Sequence, residues 1–199
     1  MRRRNINSRK SKKVILVAFE GKNKTENNYF SNYRLRDKDY IIKLVPGNET
    51  DPINLVNKTI IKVKELGLNL EENDRAYCIF DTDLDERKNM QIIKARKLAK
   101  KYHIIMITSN PCIELWFLLH FEYTTAWLSN NDVINKLKKY YPKYEKNINI
   151  FPEIKDKVFE AIKNAKKLES FQLDNNKIIG MVDANPSTEM YKIVEELIK

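Results

Sequence analysis

An α/β fold, with a parallel four-stranded sheet flanked by helices and a C-terminal helical extension, is predicted by three observations. Between residues 14 and 108, short apolar runs alternate with amphipathic segments, the pattern of strands linked by crossover helices. The apolar runs are continuous rather than alternating, as strands covered on both faces are. Beyond residue 108 the periodicity turns helical.

Residues 1–13 hold seven Lys or Arg and no acid, and read as a flexible basic arm. Val14–Phe19 is the first strand. Tyr29, Phe30, Tyr33 and Leu35 mark a helix at about 25–36. Tyr40–Val45 is the second strand, stopped by Pro46-Gly47. Asp51 caps a helix that starts on Pro52. Its buried face is Ile53, Val56, Ile60 and Val63, and Gly67 follows its end. A third strand lies at 75–81, a basic helix at 88–101 and a fourth strand at 103–108. Asn110-Pro111 opens an apolar helix, Cys112–Phe121. Helices are expected at about 130–141, 153–171 and 186–198, and Lys177–Met181 reads as a loop or a short strand. The organisation is an arm at 1–13, an α/β core at 14–121 and a mostly helical extension at 122–199 packed on that core.

A chain of 199 residues with 42% hydrophobic content can bury a core of its own. A formal net charge of +10 favours a polyanionic partner, nucleic acid before others; a plain solubility bias has the same sign. Cys78 and Cys112 lie in apolar segments and imply no disulfide framework. No apolar run approaches the roughly 20 residues of a membrane span, and no signal-peptide core is present, so a cytoplasmic protein without membrane contact is expected. Four glycines, no Walker loop and no G-x-G-x-x-G argue against an NTPase or dinucleotide enzyme.

Acids stand at strand ends. Glu20-Gly21 follows the first strand, and Asp81-Thr82-Asp83-Leu84-Asp85-Glu86 follows the third. In an open α/β sheet these ends are neighbours on the edge where ligands bind, and clustered carboxylates repel unless a cation or proton lies between them. Asp81 and Asp83, two apart on an extended strand end, are expected to project to one side and converge with Glu20. They offer the oxygen ligands that Mg²⁺ or Mn²⁺ takes. Asp85 and Glu86 are either auxiliary ligands or the start of the next helix. Glu114 is either a first-turn carboxylate favoured by its helix dipole or a buried member of the same site, in need of a metal or Lys partner.

These residues carry a resemblance. Glu-Gly after a first strand and Asp-x-Asp after a later one are similar to the Toprim domain of topoisomerases, primases and OLD-type nucleases. Four segments, Val17–Phe30, Phe80–Asp83, Ser109–Phe121 and Asn185–Thr188, resemble the RloB family of bacterial defence-associated proteins, with Asn110-Pro111-Cys112-Ile113-Glu114-Leu115-Trp116 the most specific block. The resemblance implies a Toprim-like, Mg²⁺- or Mn²⁺-dependent nuclease acting on RNA such as tRNA, or on DNA, in anti-phage or abortive-infection defence. It implies Glu20 as general acid/base or metal ligand, Asp81 and Asp83 as the metal pair, and Lys22 and Lys24 as phosphate-holding groups. A homodimer or a partner defence protein fits the same picture. The non-enzymatic alternative is a silent Toprim-like nucleic-acid-binding or sensor module acting with a partner.

Elsewhere, Lys136–Lys146 interleaves lysines with tyrosines. Lys138, Lys139 and Tyr140 could contact phosphates and stack on bases, or could form a solvated helix end. His120 reads as a core histidine. A haloacid-dehalogenase-like phosphatase places its D-x-D after the first strand; here the pair follows the third.

Overall fold

The computed structural model describes residues 12–20, 24–47 and 51–199. The arm expected at 1–13 therefore lies outside the described residues except for its last two. Of these, Lys13 opens the first strand, and Lys12 Nζ donates to the Arg36 and Lys38 carbonyls.

The sheet has five strands, not four. β1 (Lys13–Phe19), β2 (Tyr40–Pro46), β3 (Arg75–Asp81), β4 (Ile104–Asn110) and β5 (Ser187–Thr188) lie in the order β2-β1-β3-β4-β5. The first four are parallel, and β5 runs antiparallel to β4. β5 comes from a segment expected to be helical. Ser187 pairs with Asn110 and Thr188 with Ser109, whose hydroxyls lie 2.9 Å apart, so α8 (Met190–Leu197) starts only after them. A two-residue strand leaves no periodicity to read.

Side chains alternate across the sheet. Ile15, Val17 and Phe19 enter one core with α1 (Thr25–Ser31), α4 (Glu114–Leu118), α5 (Asn130–Tyr140), α7 (Val158–Asp174) and α8. Leu16 and Ala18 enter the other, with α2 (Pro52–Glu65) and α3 (Arg87–Lys101). Both faces are thus covered, which explains the unbroken apolar strands. Asp51 caps α2 through Asn54 N–H at 3.0 Å. Ser129 and Asp132 form a reciprocal capping box on α5.

Three helices differ from expectation. α1 stops at Ser31, where the Asn32 amide turns back onto the Asn28 and Tyr29 carbonyls, and Leu35 is exposed. α4 is one short turn rather than Cys112–Phe121. Asn110 does not cap it, because Asn110 ends β4 and gives its amide to the Met181 and Val182 carbonyls. The helix expected at 153–171 is instead α6 (Phe151–Ile154), a 3-10 turn at Lys155–Lys157, and α7. Lys177–Met181 is not a strand. No helix among the described residues is long and apolar enough to cross a membrane, and both cysteines are buried and free.

Candidate functional site

The chain leaves β1 toward one face, into α1, and leaves β3 toward the other, into α3. Adjacent parallel strands whose connections part in this way open a crevice at their C-terminal ends. Glu20 and Asp81 stand on its two sides. β4 ends on the same edge and leads to Glu114, the first residue of α4. Glu26, in the first turn of α1, completes the set.

The β3 extension is zipped along β4. Thr82 N–H donates to the Ser109 carbonyl at 3.0 Å, and Asp83 N–H to the Pro111 carbonyl at 3.1 Å. Asp83 and Leu84 then take left-handed φ values of 50° and 57°, a conformation Asp tolerates better than most residues. This corrects one expectation: the chain leaves the extended path before Asp83, so strand alternation does not aim it with Asp81. Asp83 is exposed. It accepts from Lys88 Nζ at 3.1 Å and Asn130 Nδ2 at 3.1 Å.

The inner carboxylates are poorly compensated. Glu20 Oε2, Glu26 Oε2 and Asp81 Oδ1 are shut off from solvent and have no hydrogen-bond partner. Burial pushes the Glu20 carboxyl up to about 7; Lys88 opposes this, the Asp83 charge adds to it, and the Asp81 N–H opposes it. Burial also lifts Glu26 to about 7. Its own backbone N–H and Lys146 oppose the rise, and Glu114 and Glu20 add to it. Asp81 is raised well above the usual range by burial, then by Glu26, Glu114 and Asp83, against a backbone hydrogen bond from Ile113. Lys88 Nζ also stands 3.9 Å from Glu20 Oε1 and 4.7 Å over the Phe80 ring. Glu114 is buried with a tyrosine partner rather than a lysine: the Tyr144 hydroxyl donates to its Oε1 at 3.1 Å.

Among the described residues, no three His, Cys, Asp or Glu side chains stand close enough to form a ready ligand set. The donor chemistry nevertheless suits a hard divalent cation. All donors are carboxylate oxygens, three of them lack a partner, and Mg²⁺ needs few protein ligands. Glu20, Asp81 and Asp83 are gathered at one edge, with Glu114 and Glu26 beside them.

The predicted substrate-binding residues are placed differently. Lys22 lies outside the described residues. Lys24 is exposed just before α1, its N–H donating to Asn147 Oδ1 at 2.7 Å. Lys138, Lys139 and Tyr140 are exposed at the far end of α5. Asn130 at its near end touches Asp83, so Lys138 lies about 12 Å further along the helix axis. Tyr140 is already engaged: it stacks on Phe121 at 5.0 Å and donates to Glu122 Oε2 at 2.7 Å. Tyr144, from the same lysine–tyrosine run, is fully buried. Asp85 starts α3, accepting from the Arg87 backbone and pairing with its guanidinium. His120 is a core residue, its Nδ1 2.9 Å from the Trp116 carbonyl.

Sequence reasoning missed Glu26, Lys88, Asn130 and Tyr144. Only Glu26 left a usable signal: it is spaced 3, 4 and 7 residues before Tyr29, Phe30 and Tyr33, which puts an acid on the buried face of α1. No curated protein and no solved structure matches the chain. A family model, that of the RloB-like proteins, matches residues 15–197, which is nearly the whole chain. The chain belongs to the RloB-like family.

Proposed function

We propose that the chain is a Toprim-like, Mg²⁺- or Mn²⁺-dependent nuclease that hydrolyses nucleic-acid phosphodiesters, in RNA such as tRNA or in DNA, in bacterial anti-phage defence. One observation carries the reading. At the crevice between diverging parallel strands, three buried carboxylate oxygens have no partner, an arrangement that a bound cation would relieve. Glu20, Asp81 and Asp83 would hold the ion. When bound, it supplies positive charge that polarises a phosphodiester and steadies the leaving oxygen. Where it does not ligate the ion, Glu20 stands at the same edge to move a proton as acid/base. Asn130 and Lys88 fix the Asp83 carboxylate. Tyr144 orients Glu114. The net charge of +10 favours a polyanionic partner for the chain as a whole.

A silent nucleic-acid-binding or sensor module is the second reading. It is favoured by Lys88, whose ammonium already lies between Glu20 and Asp83. One experiment separates the two. Total tRNA, single-stranded RNA and plasmid DNA are incubated with the protein in Mg²⁺, in Mn²⁺ and in chelator, beside Asp81→Ala. Cleavage that needs the metal and is lost in the variant supports the nuclease. No cleavage in any condition, with binding unchanged in the variant, overturns it and favours the module.

A further inference from the structure

Of the chain's two tryptophans, one belongs to the core and the other does not. Trp116 is fully buried, donates its Nε1 hydrogen to the Tyr29 hydroxyl at 2.8 Å and packs against the His120 ring. Trp127 is 62% exposed. An aromatic side chain carries about 150–250 Å² of surface that folding can bury, so Trp127 forgoes most of what a tryptophan contributes to stability.

Its exposure is not that of a loosely held loop. Trp127 lies in the connection between α4 and α5, and each of the three residues after it is fixed. Leu128 is buried, and its backbone exchanges two hydrogen bonds with the Asn185 side chain: its N–H donates to Oδ1 at 2.8 Å, and Nδ2 donates to its carbonyl at 2.9 Å. The same Nδ2 donates to Asn110 Oδ1 at 3.0 Å, which ties the connection to the C-terminal end of β4. Ser129 is held by its capping box with Asp132. Asn130 donates to Asp83 Oδ1 at 3.1 Å. Trp127 is therefore presented from a rigid support at the carboxylate edge. Three peptide links of about 3.8 Å keep its Cα within about 11 Å of that of Asn130, a span of about three nucleotides at the 3.4 Å spacing of a stacked strand. Phe159 is more exposed still, but it lies beside Ile198 and Lys199, and Lys199 borders the cavity at Lys13, the opposite end of β1.

We propose that Trp127 is a substrate-binding residue that stacks on an unpaired base of a nucleic acid lying in the carboxylate crevice, so that the site selects single-stranded segments and loops over intact duplex. Every base has a π face, and a rigidly held, exposed indole is a platform for it. Bases inside a duplex are already stacked, whereas unpaired ones can splay out onto an aromatic side chain. The proposal rests on the reading of this edge as a nucleic-acid site and narrows the substrate within it.

The full chain is titrated with short labelled single strands of RNA and of DNA, with a blunt duplex and with an abasic strand of equal length. Titrations are run in chelator and again in Ca²⁺. Anisotropy reads affinity, and tryptophan emission reads contact. Single strands that carry bases quench the emission of the parent, and the quenching is lost in Trp127→Leu, whose remaining Trp116 is shut in the core. Trp127→Leu weakens single-strand binding about 5- to 100-fold, Trp127→Tyr restores most of it, and neither changes duplex binding. The abasic strand binds the parent and Trp127→Leu alike. Phe159→Leu, a loss of exposed aromatic surface at the opposite edge, leaves affinity in place. Absence of quenching in both conditions overturns the proposal. So does an affinity that Trp127→Leu leaves unchanged, the result for an indole that serves a protein partner instead. Equal weakening by Phe159→Leu also overturns it. Cleavage is scored separately in Mg²⁺: quenching that depends on Trp127, without cleavage, refutes the nuclease reading and keeps the stacking site, and cleavage with no dependence on Trp127 does the reverse.

Discussion

Lowering the pH from 7 to 5 should cost this protein stability through His120, and His120→Asn should remove that cost. The imidazole is 2% exposed, its Nδ1 lies 2.9 Å from the Trp116 carbonyl, and its ring packs edge-on against Trp116 at 4.9 Å. Burial pushes its pKa from 6.5 down to about 4; hydrogen bonds to the Trp116 and Phe117 backbone oppose the fall, and Lys157 adds to it. Lys155, Tyr29 and Tyr33 line the small cavity beside it, and none of them offers a negative charge at these pH values. The unfolded chain therefore binds the extra proton first, and stability falls as pH drops through the window from 6.5 to 4. Those two pKa values give a loss of about 2 kcal/mol between pH 7 and pH 5, or about 4–8 °C in Tm for a chain of this size. Glu20 and Glu26 act with the opposite sign. Both are raised from 4.5 to about 7, so the folded state takes their protons first and gains stability over the same window. They do so in parent and variant alike, so only the difference between the two proteins reports His120. Asn keeps a donor for the Trp116 carbonyl and cannot titrate. Thermal unfolding at the two pH values should show the variant gaining about 2 kcal/mol on the parent at pH 5. An unchanged gap would mean that the imidazolium is accommodated, and would refute the argument from burial.

Three further outcomes are expected. Tyr144→Phe strips the hydroxyl donor from buried Glu114 and should cost about 1.5–3 kcal/mol in denaturant unfolding; a neutral result would show Glu114 satisfied elsewhere. Arg96→Ala takes the guanidinium from buried Glu189, which keeps Lys192 and the two Thr108 donors, and should cost about 1.5–3 kcal/mol. Burial raises Glu189, but Arg96 and Lys192 outweigh it and hold the carboxyl below 4.5; that stabilisation is present above pH 4.5 and is lost as pH falls through the folded value, so the variant's deficit should shrink in acid. Glu26→Gln removes a charge whose Oε2 has no partner and should stabilise the protein in chelator by about 1–3 kcal/mol, seen as a higher Tm; a lower Tm would reveal a partner for that oxygen.

The parallel frame was legible because each buried strand is an apolar run and each crossover carries its own stop signal, such as Asp51-Pro52 and Gly67. Long-range bonds erased other signals. Asn110 has the composition of a helix cap, but its amide is claimed by the carbonyls of Met181 and Val182, 71 and 72 residues on. Ser187 and Thr188 became a strand only because the end of β4 was there to pair with. At the site, Glu20 and Asp81 were visible because one directly follows and the other ends an apolar strand, and Asp83 because it stands two residues beyond Asp81. Tyr144, Lys88 and Asn130 were not. Each reaches its carboxylate from a different helix or loop, and no local pattern records that meeting. The lysine–tyrosine run misled for the same reason: Tyr144 turns inward to Glu114, while Tyr140 closes on Phe121 and Glu122.

Two ways of burying carboxylates coexist in this fold, and their contrast bears on function. Glu189 is 3% exposed and accepts from five donors, two from Arg96, two from Thr108 and one from Lys192. It ties α3, β4 and α8 together and leaves no acid oxygen unmet. The chain can therefore satisfy a buried carboxylate where only architecture is at stake. At the other edge of the same sheet, Glu20, Glu26 and Asp81 each keep an oxygen without a partner, and all three are pushed toward protonation. Structural need does not explain that crowding, since apolar residues at these positions would pack at lower electrostatic cost. The hydrogen bonds from Thr82 and Asp83 to Ser109 and Pro111 hold the strained turn in place against the repulsion. An arrangement that is costly, rigidly supported and set at the crevice between diverging strands is what a site for a positively charged ligand requires.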